Sequence, residues 1–264
     1  MPEVISMNQD QKKTETPKAE IRKAEIVVAL DNLEPKQIDA TVEQLKSAGI
    51  VWLKVGLELF TKLGPTLVQN LKKSNFKIFL DLKLFDIPNT VYKSICSGVD
   101  LGADLMTIHA LGSSKMLEEA RKASENTQTK VVAVTLLTSI DQADLFPINE
   151  IFQATQSREN VILGLAKMTA QNNLDGIVCS ANELKSFDIA NLGWIRSPIF
   201  VTPGIRGKDD EANDQKNIST IEGAIEYGAT HLVMGRPILS HKTLTPFEAA
   251  ENALKTRDSY YVGK

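Results

Sequence analysis

Residues 79–90, FLDLKLFDIPNT, begin as an apolar β-strand and then place an acid, a base and a second acid within six positions. Side chains alternate along a strand, so Asp81 and Lys83 are expected to point to one face and the leucines between them to the other. Charge at the end of an apolar strand is costly to bury without a partner or a purpose. Taken alone, the stretch fits a structural ion pair and a functional pair equally well.

The chain has 264 residues, of which 42% are hydrophobic and 24% charged, and its formal net charge is −3. This length suits one large α/β domain or two small ones. The mild negative charge gives no sign of a nucleic-acid or membrane surface, and no apolar run approaches the roughly 20 residues that cross a bilayer. The two cysteines, Cys96 and Cys179, form no C-x-x-C pattern, so we predict buried, reduced thiols rather than a disulfide or a zinc site.

The amino-terminal segment is rich in Lys, Glu, Gln, Asn and Thr and has few large apolar side chains. Such a segment cannot bury enough apolar surface to become ordered. We therefore expect residues 1–24 to form a disordered tail and residues 25–264 to form one folded, catalytic domain. The tail lacks the apolar centre of a secretory signal, and its acidic residues argue against a transit peptide, so a cytoplasmic location is predicted.

Eight short runs beyond the tail have strand character, and most are continuously apolar, as in strands that are covered on both faces. They are residues 26–30, 50–55, 76–80, 104–109, 131–136, 176–179, 199–201 and 231–234. The helical patterns between them are residues 36–48, 65–73, 89–101, 113–124, 159–172, 182–188, 219–227 and 246–255. Eight alternations predict an α/β protein with a single (β/α)8 TIM barrel, a fold of about 250 residues.

An open, doubly wound sheet is the competing architecture. Its glycine-rich dinucleotide turn should follow the first strand. This chain has Asp31-Asn32-Leu33-Glu34 at that place. The barrel is therefore favoured.

Polar residues follow nearly every predicted strand, and in a barrel the chemistry lies at these carboxyl ends. In strand order they are Asp31, Lys54, Asp81 with Lys83, His109, Thr138 with Ser139, Ser180, residues 202–206, and Gly235 with Arg236. Random surface polarity would seldom be so regular, so a functional rim is predicted. His109 fits a ligand-positioning role and a structural role alike, and three widely spaced histidines do not predict a histidine-rich metal site.

The ends of the seventh and eighth strands suit a phosphate group. Gly235 lets the backbone approach a ligand closely, and Arg236 adds a forked cation that matches phosphate oxygens. Barrels often bind phosphate at this position. The polar segment 203–217 is long for a strand–helix connection, as binding loops are, and Arg206 and Gln215 on it could reach the phosphate. A mobile surface loop would look the same.

The segment Asp81 to Thr90, DLKLFDIPNT, resembles the signature D-x-K-x-x-D-I-P-N-T of the orotidine 5′-phosphate decarboxylase family. The likeness extends over about residues 25–257. It includes Ala29-Leu30-Asp31, Lys54-Val55-Gly56, Thr107-Ile108-His109-Ala110, Leu137-Thr138-Ser139, Thr202-Pro203-Gly204-Ile205-Arg206 and Gly235-Arg236-Pro237. Other sugar-phosphate barrels share D-x-K-x-x-D, but the I-P-N-T extension and the two phosphate-side motifs make the match specific.

The resemblance implies decarboxylation of orotidine 5′-monophosphate to uridine 5′-monophosphate without a cofactor, the last step of de novo pyrimidine synthesis. It also implies a homodimer with shared active sites. Lys83 would protonate C6, Asp81 and the neighbouring subunit's copy of Asp86 would hold Lys83 charged, and Lys54 would complete an alternating chain of charges. The resemblance also implies the substrate-binding residues. Asp31 and Lys54 would bind the ribose, and Thr138, or Ser139 as an alternative, the pyrimidine edge. The remaining members are Asp81 beside the reacting carboxylate, Pro203, Arg206, Gln215, Gly235 and Arg236 around the phosphate-side motifs, and Ile87 and Thr90 from the neighbouring subunit.

Two alternatives remain open on the sequence. The first is a magnesium-dependent sugar-phosphate decarboxylase or aldolase of the same superfamily. It should have an acid at the end of the second strand, where this chain has Lys54. The second is a non-catalytic phosphate-ligand binder, which would have no use for the array of Asp81, Lys83 and Asp86.

Overall fold

A computed structural model describes residues 23–145, 156–207 and 219–262 of the chain. Eight parallel strands close into a barrel in sequence order, and β1 pairs with β8. The strands are β1 Glu25–Ala29, β2 Trp52–Gly56, β3 Lys77–Leu84, β4 Leu105–His109, β5 Lys130–Val134, β6 Gly176–Val178, β7 Ile199–Thr202 and β8 His231–Met234. The predicted single (β/α)8 barrel is confirmed. The predicted tail falls almost wholly on residues 1–22, outside the described residues, and stays a prediction.

Helices follow the strands around the outside of the barrel. Those in the described residues are α1 Pro35–Ser47, α2 Leu57–Lys73, α3 Pro88–Asp100, α4 Ser113–Ser124, α5 Arg158–Gln171, α6 Ala181–Ser186, α7 Ile221–Glu226, α8 Arg236–Leu239 and α9 Pro246–Val262. Short 3₁₀ turns lie at Ala110–Gly112, Ala143–Leu145 and Ile189–Leu192. Among the residues that the structure describes, no helix combines the length and the apolar character needed to span a membrane.

The two faces of each strand bury different clusters. Outward residues pack against the helices in one large core. Inward residues fill the barrel with a smaller cluster, whose fully packed members are Val27, Ala29, Trp52, Phe79, Leu105, Val132, Val201 and Val233. Because alternate residues share a face, the next inward residues on β2, β3 and β4 are Lys54, Asp81 and Thr107, all of them buried. The register that fills the barrel therefore brings three polar side chains to its carboxyl end.

Strand β3 is longer than predicted. The sequence placed its end at Leu80, the last residue of the continuous apolar run, but the strand continues to Leu84. The alternating residues after Leu80 still suit a strand that is covered on one face. The pairing of β3 with β4 becomes irregular between Leu80 and Leu84, and Lys83 adopts a positive φ of 50° there. The catalytic candidates thus lie within an irregular strand end rather than in the loop after it.

Two helical features also differ from the prediction. Helix α2 begins at Leu57 rather than at Pro65, and it bends at Gly64, whose φ is 65°. Proline disfavours helical geometry in the residue before it, and glycine adopts the required conformation without strain. The short helix α8 was not predicted, because four residues carry no periodic pattern.

The last helix, α9, runs past its predicted end at residue 255 and reaches the start of β1. The backbone N–H of Ala24 donates to the hydroxyl of Tyr261 at 2.8 Å, and Lys23 pairs with Asp258 at 3.1 Å. The first strand and the last helix are therefore joined at the amino end of the barrel. This end is opposite the polar rim.

Of the two cysteines, Cys179 is buried as predicted, whereas Cys96 is only half-buried, and both are free thiols. Burial, with a contribution from the negative charge of Glu183, raises the pKa of the Cys179 thiol. This thiol is therefore protonated and unreactive at neutral pH.

Candidate active site

Four charged side chains of alternating sign form a chain across the ends of β1, β2 and β3. The ammonium of Lys54 pairs with the carboxylate of Asp31 and lies 3.5 Å from Oδ2 of Asp81. The same Asp81 oxygen accepts a hydrogen bond from Nζ of Lys83 at 2.7 Å. We call Asp31, Lys54, Asp81 and Lys83 the charge chain. Lys54, Asp81 and Lys83 of the predicted alternation are in contact, and Asp81 and Lys83 share a face, whereas Asp31 stands in the chain in addition to the predicted members.

Asp81 is the centre of the charge chain. Burial of its carboxylate alone would raise its pKa, but the charges of Lys54 and Lys83 and the hydrogen bonds from Lys83 and Thr107 outweigh burial and hold the pKa below the ordinary value for aspartate. Asp81 is therefore ionised throughout the neutral range.

Thr107 of β4 joins the charge chain although the sequence analysis gave it no role. Its hydroxyl donates to Oδ1 of Asp81 at 2.9 Å and accepts the backbone N–H of Lys83 at 2.9 Å. The residue is fully buried. The sequence did indicate that Thr107 has a partner, because it places a threonine at an inward position of an apolar strand and a buried hydroxyl needs a hydrogen-bond partner.

Gly56, at the end of β2, is a second residue to which the sequence pattern gave no role of its own. A Cβ atom built at this residue would overlap the carboxylate of Asp31 and would lie 2.9 Å from Nζ of Lys54. Any side chain here would push apart the first two members of the charge chain. The atoms in contact are the ends of side chains, so a larger residue here would displace Asp31 and Lys54, whereas the φ of −92° is compatible with any residue.

His109 lies at the end of β4, with its ring centroid 5.9 Å from that of Phe85. Its Nδ1 atom is buried and has no hydrogen-bond partner among the described residues. Burial and the nearby charge of Lys83 both lower the pKa of His109, so the ring is neutral at pH 7. A neutral ring does not compete with Lys83 for the carboxylate of Asp81.

Asp86, Ile87 and Thr90 lie apart from the charge chain and are exposed. Within the described part of this chain, the Asp86 carboxylate accepts only the adjacent N–H of Ile87, at 2.7 Å. Ile87 and Phe85 are 66% and 62% exposed, which is unusual for large apolar residues. One chain therefore does not bring Asp86 to Lys83 by itself.

The residues predicted to bind a phosphate group lie at or after the ends of β7 and β8. Arg206 is buried and lines a cavity of about 430 Å³ together with residues such as Met234. A backbone bridge between Ile205 and Ser219 joins the two ends of the segment that follows β7. Gly235 precedes α8 and Arg236 begins it, and Pro203 is half-buried after β7. Gln215, the remaining predicted member, lies outside the described residues.

The rim after β5 and β6 is held by a buried ion pair. Arg158, the first residue of α5, contacts Glu183 with 2.6 Å between Nη2 and Oε1, and its Nε donates to the carbonyl of Ile140 at 2.8 Å. Ser180, which the sequence placed among the functional rim residues, instead caps α6 reciprocally with Glu183. The polar group after β6 thus has a structural use.

Thr138 is half-buried and Ser139 is exposed on the same rim, between β5 and Ile140. Neither forms a hydrogen bond to the charge chain in the described part of the molecule. Their predicted contact with a pyrimidine ring stays a prediction.

Comparison with known proteins adds an independent line of evidence. Residues 24–253 match the model of a family described as the orotidine 5′-phosphate decarboxylase / HUMPS family. An orotidine 5′-phosphate decarboxylase of Idiomarina loihiensis is 44% identical over 216 residues, which cover 81% of this chain and 90% of the relative. A relative of the same name from Nitrosococcus oceani is 42% identical over 220 residues, covering 83% and 91% of the two chains.

The fold is similar to that of a solved relative as well. The crystal structure of an orotidine 5′-phosphate decarboxylase from Lactobacillus acidophilus superposes with a TM-score of 0.75 at 33% sequence identity, and the match covers 89% of this chain and 99% of that one. The similarity therefore spans the whole barrel and not only the residues of the charge chain.

Proposed function

The chain belongs to the orotidine 5′-phosphate decarboxylase family and is a carboxy-lyase, and from this premise we propose how its residues carry out the reaction. In this proposal the bond between C6 and the carboxylate of orotidine 5′-monophosphate breaks, carbon dioxide leaves, and the electron pair stays on C6. Lys83 then gives a proton to C6 and regains one from water. The observation that carries this proposal is the Asp81 carboxylate that lies between Lys54 and Lys83.

The difficulty of the reaction explains why fixed charges are needed. The electron pair left on C6 lies in the plane of the ring and has no group that delocalises it. A preorganised cation at that place stabilises the developing charge without having to reorient during the reaction. The ammonium of Lys83 is such a cation, because Asp81 holds it at 2.7 Å. No cofactor is required in this scheme.

Substrate binding would use the remaining rim. Asp31 and Lys54 are proposed to hold the ribose hydroxyls, and Thr138, or Ser139 beside it, the pyrimidine edge. Arg206, Gly235 and Arg236 are proposed to bind the phosphate, together with Pro203 and Gln215. Binding energy from this remote phosphate could organise the reacting end of the substrate.

We further propose a homodimer in which Asp86, Ile87 and Thr90 complete the neighbouring subunit's site. Asp86 has no cation partner among the described residues of its own chain. Exposed apolar residues beside it, such as Phe85 and Ile87, suit a surface that another protein covers. A carboxylate supplied across that surface would give Lys83 a second anion.

The activity is tested by the loss of ultraviolet absorbance when purified protein and orotidine 5′-monophosphate are mixed without added metal. We expect turnover, unchanged by EDTA, and its loss in Lys83→Ala. Folded protein that leaves the absorbance unchanged would refute the proposal. Inhibition by EDTA would favour the magnesium-dependent alternative. The structure argues against that alternative, because the ammonium of Lys54 already lies between the carboxylates of Asp31 and Asp81.

The shared site is tested with mixed variants. Lys83→Ala and Asp86→Ala subunits should regain activity on mixing, because one of the two sites in a hybrid dimer is then intact. Lys83→Ala mixed with Asp81→Ala is the matched control, and it should stay inactive because both residues belong to the same chain's site. Absence of recovery in the first mixture, with subunit exchange verified by a mass tag, would contradict the assignment of Asp86.

We also propose that this reaction is the last step of de novo pyrimidine synthesis and takes place in the cytoplasm. A bacterial strain that lacks its own decarboxylase and needs uracil should grow without uracil when it produces this chain. The Lys83→Ala variant, made at the same level, should not support growth. Growth with that variant would contradict the proposal.

A further inference from the structure

The backbone of Lys83 is held in an uncommon conformation. Its φ of 50° lies in the left-handed region, which residues with a Cβ atom rarely adopt. The regular pairing of β3 with β4 is interrupted between Leu80 and Leu84, so the strand ladder does not fix this residue. The N–H of Lys83 donates instead to the hydroxyl of Thr107, at 2.9 Å.

The same hydroxyl also fixes the carboxylate partner of Lys83. A hydroxyl has one proton and two lone pairs, so it can donate to Oδ1 of Asp81 while it accepts from the Lys83 backbone. The other oxygen of Asp81, Oδ2, accepts from the Lys83 ammonium. These three hydrogen bonds form a closed circuit from the Lys83 backbone through Thr107 and Asp81 to the Lys83 side chain.

We propose that Thr107 is a positioning residue that sets the place of the Lys83 ammonium by holding both the backbone of Lys83 and the carboxylate of Asp81. The inference rests on the proposed function, in which Lys83 protonates C6. Thr107 suits the task because it is fully buried and β-branched, so its hydroxyl has few orientations. Proton transfer to carbon depends on geometry, and a small displacement of the donor is costly.

A plain structural role makes a different prediction. If the hydroxyl only satisfies its own hydrogen bonds in the barrel, its removal lowers stability and leaves the chemistry of the surviving folded protein unchanged. If it positions Lys83, the folded protein turns over more slowly at saturating substrate. The titration of Asp81 should change in both cases, since the hydroxyl is one of the groups that lower its pKa, so kcat is the readout that separates them.

The test compares Thr107→Val, which keeps the shape and loses the hydroxyl, with Thr107→Ser, which keeps the hydroxyl. Thr129→Val is the matched control, because Thr129 is also buried and donates to one backbone carbonyl, that of Ala103, at the opposite end of the barrel. We expect Thr107→Val to lower kcat at least about tenfold, the equivalent of one hydrogen bond to a charged group, with a smaller change in KM. Thr107→Ser should recover most of the loss, and Thr129→Val should keep the wild-type kcat.

A titration gives a readout that does not depend on turnover. The carboxylate of Asp81, followed by NMR, should titrate at higher pH in Thr107→Val than in the wild type or in Thr107→Ser. If valine prevents folding, Thr107→Ala provides the same comparison. A wild-type kcat in Thr107→Val would overturn the inference, whatever the titration shows. A wild type that does not consume orotidine 5′-monophosphate would instead refute the proposed function, and the titration would still test the circuit.

Discussion

Lys54→Met removes the cation that lies between the carboxylates of Asp31 and Asp81. Its effect on the free energy of unfolding can be worked out from the geometry of the site. The Lys54 side chain is 9% exposed and its ammonium lies 3.5 Å from Oδ2 of Asp81. At that distance and an effective dielectric constant of about 20, the attraction between unit charges is about 5 kcal/mol. Part of it is offset by the cost of burying the lysine. Asp81 keeps Lys83 and Thr107, and Asp31 reaches solvent, so we expect a net loss of about 3 kcal/mol.

The pH dependence of this loss identifies its cause. In the wild type the pKa of Asp81 is lowered on folding, so Asp81 contributes stability above the ordinary pKa of aspartate, about 3.9, and this contribution is lost as the pH falls through the lower folded value. Without Lys54, the cost of burying Asp81 is less well compensated, and protonation relieves it. The difference between variant and wild type should therefore shrink on acidification.

Urea unfolding followed by circular dichroism, at pH 7 and at several lower values, measures the difference directly. The double variant Lys54→Met with Asp31→Asn should be more stable than Lys54→Met alone, because it removes a carboxylate whose cation in the described part of the chain is Lys54. A variant as stable as the wild type at pH 7, or a difference that does not change with pH, would refute the electrostatic account of the charge chain.

Three further changes test other parts of the site. Arg158→Met should lower the free energy of unfolding by about 3 kcal/mol in urea, because it leaves Glu183 buried without its cation, and an unchanged value would show that the pair is dispensable. Gly56→Ala should lower kcat/KM by roughly a hundredfold, since its Cβ displaces the charge chain. Gly164→Ala on α5, with no atom within 4 Å of the new Cβ, is the control and should keep full activity and gain up to about 1 kcal/mol. Arg236→Ala should raise KM more than it lowers kcat, and a loss confined to kcat would contradict a phosphate contact.

The sequence predicted the barrel and the shared face of Asp81 and Lys83 because both follow from strand periodicity, whereas the place of Lys54 beside them was implied by the family resemblance. Continuous apolar runs predicted the strands, and alternation along β3 placed Asp81 and Lys83 on one face. The end of β3 was missed, since the apolar run stops at Leu80 while the pairing with β4 continues past an irregularity. That irregularity depends on two strands together, and neither sequence segment reveals it alone.

The partners of individual side chains were harder to predict for the same reason. Thr107 contacts Asp81 only because β3 and β4 adopt a particular register. This register cannot be predicted from the positions of the polar residues at the strand ends. The carboxylate of Asp31, a residue that follows another strand, lies where a Cβ atom at position 56 would be. Ser180 is different, because the spacing Ser180-x-x-Glu183 is a helix-capping pattern that is visible in the sequence. This pattern was not used when Ser180 was placed among the rim residues.

The pairing of the first strand with the last one has a consequence for the synthesis of the protein on the ribosome. The first strand pairs with the last one, and Ala24 is bound by Tyr261 near the end of the last helix. A chain that grows from its amino end therefore carries one open edge of β1 until β8 has been made. Open strand edges can pair with other chains, so translation that slows or stops before β8 is complete exposes the protein to aggregation.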